Sequence, residues 1–209
     1  TLLRSLRMRR TIHLVAVAFL LSLAGCADGY QKSGGEWCYV IINTGSGRTA
    51  TPLNADDRTF VVLDDKDYAK DSTSVFYLGE RIKNADPDTF RLLDAPRFAR
   101  DEKSVFLLGH SVIGVDPDTF RVIDGVYGRD ASRIYCGTVP MEVENMEGFT
   151  VLTYDSCVGI AYGKESFVSR YGDSFADLEV SREQPAVIDS QWAHDGVAYY
   201  YGPGKVVGA

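Results

Sequence analysis

Hydrophobic positions after residue 28 fall in short runs separated by turn residues, a pattern that predicts strands. The segments SVFYL at 74–78 and SVFLL at 104–108 are nearly continuous apolar runs of strand length, which is typical of strands buried on both faces. Gly79 and Gly109 then supply a tight turn into a second short strand. No stretch after residue 27 keeps a helical period over more than two turns. The pattern therefore predicts an all-β domain.

The chain repeats itself with a period of 30 residues. Two copies are clear and share an aromatic-Ala-basic-Asp motif, then SVF-x-LG, then DPDTFR and an aliphatic pair before Asp. The remaining copies are looser, partial or degenerate. The repeat units are placed near 30–64, 65–94, 95–124, 125–154, 155–189 and 190–209.

A repeat this short cannot bury its apolar face alone, so successive copies must pack on one another. We expect tandem β-meander repeats that form a continuous curved sheet or a solenoid-like array. The alternative is a small β-propeller, although a propeller blade usually takes ~40–45 residues. Four phenylalanines recur at spacings of 30, 30 and 29, and with the aliphatic residue two places on they predict a continuous apolar ladder: Phe60, Phe90, Phe120 and Phe149.

Asp71 and Asp101 stand at the same turn in the two clear copies. A short acceptor side chain at a turn can bind backbone N–H groups just ahead of it. We therefore expect both residues to matter for folding and not for activity.

The motif Tyr68-Ala69-Lys70-Asp71, followed by Val75-Phe76-Tyr77, resembles the bacterial DKNYY repeat family, and so does its next copy, Phe98-Ala99-Arg100-Asp101 with Val105-Phe106-Leu107. The resemblance covers most of 30–202 and is strongest in 65–124. The Asn-Gly turn common in that family is Leu-Gly here. The resemblance implies an exported repeat protein without an established activity.

The N-terminus has the order of an export signal. Arg9 and Arg10 precede an apolar segment at 12–23, which is shorter than the ~20 residues of a membrane span and fits a signal peptide. The sequence Leu23-Ala24-Gly25-Cys26 resembles the bacterial lipobox, which implies cleavage between Gly25 and Cys26 and a covalent lipid on the Cys26 thiol. The expected organisation is a signal peptide at 1–25 (with 1–7 interpreted as an over-extended start), a lipidated tether at 26–29 and a single repeat domain at 30–209.

The residue after the cysteine bears on localisation. An aspartate there resembles an inner-membrane retention signal in enteric-type lipoproteins, whereas this chain has Ala27 and then Asp28. We expect a protein anchored by lipid in the cell envelope, in the outer membrane if the cell has two. Two or three acyl chains hold a protein stably, where one chain does so only marginally.

The net charge of the exported part restricts which kinds of molecule it can bind. Residues 1–25 contain four arginines and no acidic residue, so the exported part keeps 18 of the 22 basic residues against 29 acidic ones, a net charge of −11. Such a surface repels phosphate backbones, and nucleic acid is not an expected partner. The expected binding partner is an envelope protein or a cell-wall glycan.

Motifs of common catalytic sites are absent: the sequence has no G-x-S-x-G, H-E-x-x-H, phosphate-binding loop or dinucleotide fingerprint. His110 and His194 occupy positions that vary between copies and are interpreted as surface residues. The acidic pairs of the DPDT segments are weak calcium candidates, although turn chemistry explains them equally well: Asp86, Asp88, Asp116 and Asp118. No metal or other cofactor is expected apart from the lipid.

Three cysteines remain after lipidation of Cys26. In an oxidising compartment a pair is expected, and Cys136 with Cys157 is the candidate because they lie in neighbouring repeats. Three packed thiols are the alternative, and Cys38 falls at the repeat position of Phe76 and Phe106, which predicts a buried site.

Aromatic residues at the ends of the domain have two interpretations. Trp37, Trp192 and the run Tyr199–Tyr201 have side chains that can stack on sugars or peptides. The repeat alignment instead places Trp192 with Tyr68 and Phe98, so core packing is the favoured interpretation.

The sequence thus favours a non-enzymatic envelope lipoprotein whose repeat domain binds a partner or acts as a scaffold, with no catalytic residue. The alternative is a hydrolase acting on envelope glycans or peptides. A hydrolase should gather two or more carboxylates in a pocket that breaks the repeat symmetry, whereas a scaffold should spread them evenly.

Overall fold

The computed structural model describes residues 28–152, 158–161, 186–189 and 192–206, and every regular element in them is a β-strand. The expected all-β tandem-repeat fold is confirmed. Within these described residues no helix has the length and apolar character needed to cross a membrane. The chain divides into two compact units, Thr1–Asn54 and Ala55–Ala209.

The described part of the first unit is a three-stranded antiparallel sheet. Its strands are β1 (Gly29–Ser33), β2 (Glu36–Asn43) and β3 (Gly47–Pro52), joined in that order. Cys38 and Val40 point into its buried side and are 3% and 0% exposed. The buried site predicted for Cys38 is therefore confirmed, although the cysteine lies in a longer strand than those of the repeats.

The described part of the second unit contains four small antiparallel meanders of four strands each. The first three are β4–β7 (Val61–Val62, Tyr68–Lys70, Val75–Tyr77, Glu80–Arg81), β8–β11 (Arg91–Leu92, Phe98–Arg100, Val105–Leu107, His110–Ser111) and β12–β15 (Arg121–Asp124, Tyr127–Arg129, Ile134–Cys136, Val139–Met141). The last combines β16 (Thr150–Val151), β19 (Trp192–His194), β20 (Tyr199–Tyr201) and β21 (Gly204–Val206). A separate hairpin, β17 (Val158–Ala161) with β18 (Ala186–Asp189), lies between β16 and β19 in the chain.

The turn after the third strand of the first two meanders contains a leucine with a positive φ angle. Leu78 and Gly79 have φ angles of 47° and 83°, and Leu108 and Gly109 have 51° and 77°. Positive φ at both positions suits the right-handed twist of a two-residue hairpin, but leucine adopts it at an energetic cost. Glycine is required at 109, because a Cβ there would lie 2.8 Å from the Cβ of Tyr77.

Adjacent meanders share no strand pair, so the repeats form separate sheets and not the continuous curved sheet of the first expectation. They are joined by packing, as in a solenoid-like array. Phe90 lies between Tyr68 of the sheet before it and Phe106 of its own sheet, with ring centroids 5.8 and 5.6 Å away. Phe120 and Phe149 repeat this arrangement with the next sheets. Four strands is also the content of a propeller blade, here in 30 residues instead of ~40–45.

The predicted continuous ladder is wrong in its geometry. The four phenylalanines end the turn before each first strand and do not lie in the strand, so period-two alternation does not apply to them. Phe60, Phe90 and Phe149 are buried, but Phe120 is half-buried and Val62 is 40% exposed. The rings of Phe90, Phe120 and Phe149 each pack between aromatic side chains of two sheets and not on one another.

An aspartate at the end of each second strand holds the turns together; we call this contact the Asp latch. One carboxylate oxygen of Asp101 accepts hydrogen bonds from the N–H groups of Lys103 and Ser104, both at 2.7 Å. The other accepts from the N–H of Asp86, 2.9 Å away in the turn that precedes the sheet. Asp71 does the same with Thr73 and Asp56. The predicted capping geometry is therefore present, and it also ties two distant turns of the same sheet.

The insertion between β16 and β19 packs on the third meander. The N–H of Thr138 donates to the carbonyl of Val187 at 2.8 Å, and the N–H of Val187 donates to the Thr138 hydroxyl at 2.9 Å. Val187 is fully buried. The degenerate copy assigned to 155–189 lies mostly outside the described residues.

Candidate functional site: the aromatic face of the last sheet

The last meander exposes large apolar side chains on one face. Because Val151 and Ala193 pair and point to the buried side, their neighbours along each strand point outward. We define the terminal aromatic face as Leu152, Trp192, Tyr199 and Tyr201, which are 44%, 42%, 47% and 37% exposed. Trp192 and Tyr201 are cross-strand neighbours with ring centroids 5.2 Å apart.

Two of these positions, those of Trp192 and Tyr199, are covered in every earlier meander. Trp192 corresponds to Tyr68, Phe98 and Tyr127, and none of these three is more than 1% exposed. Tyr199 corresponds to Val75, Val105 and Ile134, which are fully buried. In each earlier copy this face packs under the phenylalanine that precedes the next sheet. In the described part of the chain, no later sheet supplies that phenylalanine to the terminal aromatic face.

Polar contacts between copies follow the same pattern. Tyr68 donates its hydroxyl proton to the carbonyl of Arg97 at 3.1 Å, and its oxygen accepts from the N–H of Gly109 at 3.2 Å. Lys70 donates to the carbonyl of Pro87, 2.7 Å away in the next turn. Arg100 and Arg129 reach the corresponding turns. These are contacts of a recurring kind between successive repeats of one chain, and the last meander has the same side exposed.

The basic position of the repeat is a histidine in the last sheet. His194 takes the place of Lys70, Arg100 and Arg129, and its Nδ1 accepts a hydrogen bond from the N–H of Gly196 at 3.2 Å. Its ring lies 6.0 Å from that of Tyr199. The histidine therefore extends the terminal aromatic face along β19.

Hydrogen bonds to a buried aspartate hold together the strands that carry this face. Asp195 is fully buried and accepts from the N–H groups of Asn145, Val197 and Ala198 at 2.8–2.9 Å and from the Tyr200 hydroxyl at 2.8 Å. Burial alone would raise the pKa of Asp195, but these hydrogen bonds outweigh it and hold the pKa well below its usual range. Burial, and then the bond to the carboxylate, raise the pKa of Tyr200 to about 12. The Asp latch thus fixes the β19–β20 hairpin that displays the aromatic side chains.

Core packing was the wrong interpretation for three of the terminal aromatics. Trp192, Tyr199 and Tyr201 are exposed, and only Tyr200 of that run is buried. Alignment with earlier copies identifies equivalent positions but not their burial, because such a position is buried only when a further copy covers it. Trp37, in the first unit, is half-buried beside the Lys32 ammonium, which lies 5.4 Å from its ring.

The other predicted site residues are scattered along the chain. Gly25, Cys26 and Cys157 lie outside the described residues. Cys136 is fully buried in β14. His110 is half-buried in β11, where burial lowers the pKa of its imidazole.

The calcium candidates form turns. The Asp86 carboxylate accepts from the N–H of Asp88 at 3.1 Å, and that of Asp116 accepts from the N–H of Asp118 at 3.0 Å. Asp118 also pairs with Arg100 at 3.1 Å. Across the described residues, no three acidic, histidine or cysteine side chains come together in a way that could hold a metal ion. The carboxylates of Asp86 and Asp116 stabilise the turns by accepting these hydrogen bonds.

The model of the DKNYY family matches the chain over residues 16–110 and again over 98–209. The two matches together span most of the sequence. The chain belongs to the DKNYY family. In this DKNYY protein the second strand carries the aromatic-Ala-basic-Asp motif, and the basic residue and the aspartate make the contacts between turns. No curated protein matches the chain. No solved structure matches it either.

Proposed function

We propose that this DKNYY protein is a lipid-anchored protein of the bacterial cell envelope, placed in the outer membrane where the cell has two. The proposal takes residues 1–25 as a cleaved signal peptide and Cys26 as the lipidated residue. It is supported by the order of the basic residues, the apolar segment and the Leu23–Cys26 motif. The lipid is the only covalent group that the proposal requires.

The exported domain, in this proposal, binds a protein partner and has no catalytic activity. The observation that carries this is the terminal aromatic face, where four large apolar side chains are exposed on one sheet. Tryptophan and tyrosine provide large contact areas with polar tips and are enriched at protein interfaces. A protein is the favoured partner because the same positions in earlier copies bind an aromatic ring and backbone carbonyls of a following sheet.

The hydrolase alternative needs a carboxyl group that can donate a proton near neutral pH. The latch carboxylates of Asp130 and Asp195 do not meet this requirement. Asp130 and Asp195 have lowered pKa values and accept several hydrogen bonds each. One latch aspartate occurs in each meander, and this even distribution fits a repeated structural role.

Lipidation is tested by intact-mass analysis of the membrane-bound protein. We expect acyl chains on Cys26, and we expect Cys26→Ser to release the protein from the membrane or to stall its export. A native protein that lacks acyl chains and begins well past Cys26 would remove this half of the proposal.

Binding is tested with matched surface variants. Lipidated protein with Trp192→Ser and Tyr201→Ser should lose its crosslinked envelope partner, whereas Val61→Ser with Val62→Ser should keep it. Val61 and Val62 are a good control because they are also exposed, at 48% and 40%, and lie in another sheet. Equal crosslinking of both variants would contradict the assigned surface. Sedimentation with purified cell-wall sacculi that depends on Trp192 would replace the protein partner by a glycan.

A further inference from the structure

The β2–β3 hairpin of the first unit lies next to the point where the chain would emerge from its lipid anchor. Strand β1 pairs with β2 so that Gly29 lies opposite Val40, which places Asp28 beside the hairpin end of β2. One carboxylate oxygen of Asp28 accepts a hydrogen bond from the N–H of Ile42 at 2.6 Å. The entering chain is thus fastened to the hairpin itself.

The end of this hairpin exposes apolar side chains together with one basic residue, Arg48, and one acidic residue, Asp28. Ile41 and Ile42 are 43% and 38% exposed, and every residue from 41 to 48 is exposed. Arg48 lies directly opposite Ile42 across the strands. The chain has no acidic residue between Glu36 and Asp56, in contrast to its strong overall negative charge. With Arg48 and Asp28 offsetting each other, this end of the sheet lacks the excess of negative charge that repels anionic lipid head groups.

The tether leaves little room between this surface and a bilayer. Two chain steps separate Cys26 from Asp28, and a fully extended chain spans at most ~3.3–3.6 Å per residue, so the separation is at most about 7 Å. A lipid on Cys26 therefore brings the hairpin end within reach of the head groups. Because the hairpin is hydrogen-bonded to Asp28, its distance from Cys26 is limited by this short segment.

We propose that the end of the β2–β3 hairpin, residues 41–48, rests in the interfacial layer of the bilayer that holds the Cys26 acyl chains. Ile41 and Ile42 contact the boundary between head groups and acyl chains, and the Arg48 guanidinium binds lipid phosphate. The inference rests on the proposed lipidation and adds a second membrane contact to it. Apolar side chains combined with a basic residue are what such interfacial attachment uses.

The test uses acylated full-length mature protein in vesicles of phosphatidylethanolamine and phosphatidylglycerol that contain a photoactivatable phosphatidylglycerol. After illumination, adducts are mapped by mass spectrometry. We expect adducts in residues 41–48 and few at Val61 and Val62, which are equally exposed and serve as the internal control. Adducts spread evenly over both segments, or concentrated at Trp192 and Tyr201, would overturn the proposal.

A variant makes the test quantitative. Ile41→Asp with Ile42→Asp should lower the hairpin adducts at least about tenfold. The reason is that two aliphatic side chains that enter the bilayer are replaced by negative charges that the anionic membrane repels. The protein should still sediment with the vesicles through its acyl chains. Unchanged adducts in this variant would overturn the proposal. The intact mass of the same sample reports acylation separately, so a failure of lipidation is distinguished from a failure of the hairpin contact.

Discussion

The second and the last meander have the same strand order but opposite exposure of one face. In the second, Phe98 and Leu107 lie under the turn of the next copy and are 1% and 0% exposed. In the last, the equivalent Trp192 and Tyr201 are 42% and 37% exposed. One side of each repeat is therefore an interface, and it is core or surface according to whether another copy packs on it. Substitutions on the two sides of this interface test the comparison.

Truncation of an interface phenylalanine should have the largest effect. Phe90→Ala removes a ring that is 4% exposed and packed between Tyr68 and Phe106. We expect a loss of ~3–5 kcal/mol in the free energy of unfolding, as for other buried phenylalanines. Chemical denaturation measures it. Phe120→Ala is the comparison, and it should cost less because that ring is half-buried; an equal or larger cost at 120 would contradict this packing.

Loss of an Asp latch should come next. Asp101→Ala leaves three N–H groups without their acceptor, those of Asp86, Lys103 and Ser104. We expect a cost of about 2–3 kcal/mol, above that of a single lost cap, because hydrogen bonds to a charged group are stronger. Thermal and denaturant unfolding provide the measurement. Asp101→Asn keeps an acceptor oxygen and should lie in between; if both variants unfold like the parent protein, the latch is not a structural element.

Acid should weaken the latch in the third meander. The Asp130 carboxylate accepts from the Tyr135 hydroxyl at 2.7 Å and from the N–H of Asp116 at 3.0 Å. Burial raises its pKa, but these and other hydrogen bonds outweigh burial and lower the pKa from 3.8 to about 2. Because the folded state has the lower pKa, the stabilisation is present above pH 3.8 and is lost as the pH falls to about 2.

Unfolding curves between pH 6 and pH 2 (roughly the range over which carboxyl groups titrate) test this sign. Asp130→Asn should be less stable than the parent protein at neutral pH, and the difference should shrink as the pH falls. A difference that stays constant down to pH 2 would show that the charge of Asp130 does not contribute.

The smallest effect is expected at the terminal aromatic face. Trp192→Ala should cost about 1 kcal/mol, since a side chain that is 42% exposed has less burial to lose than a core residue. Phe98→Ala, at the equivalent position, should cost ~3–5 kcal/mol. If the two substitutions destabilise the protein equally, the contrast between the second and the last meander is wrong. The same tryptophan variant should lose the envelope partner while its melting temperature falls by only about 2–4 °C.

Much of the fold could be predicted because its signals are local. Apolar runs such as 74–78 and the glycines after them specify short strands and tight turns. The position of Asp101 in its motif predicted a cap, because an aspartate reaches N–H groups two and three residues ahead of it. The bond from Asp101 to Asp86 was not predictable, since it joins turns that are distant in sequence.

The sequence by itself determined the strands, the turns, the 30-residue repeat and the lipobox-like N-terminus. Each of these depends on neighbouring residues or on comparison of one copy with another. Only the tertiary structure decided that the repeats form separate sheets joined through Phe90 and its equivalents, and that Trp192 is exposed where Phe98 is buried. Burial depends on the groups that pack against a residue. Two copies with the same pattern therefore differ in burial when, in the part of the chain that the structure describes, a further sheet packs on only one of them.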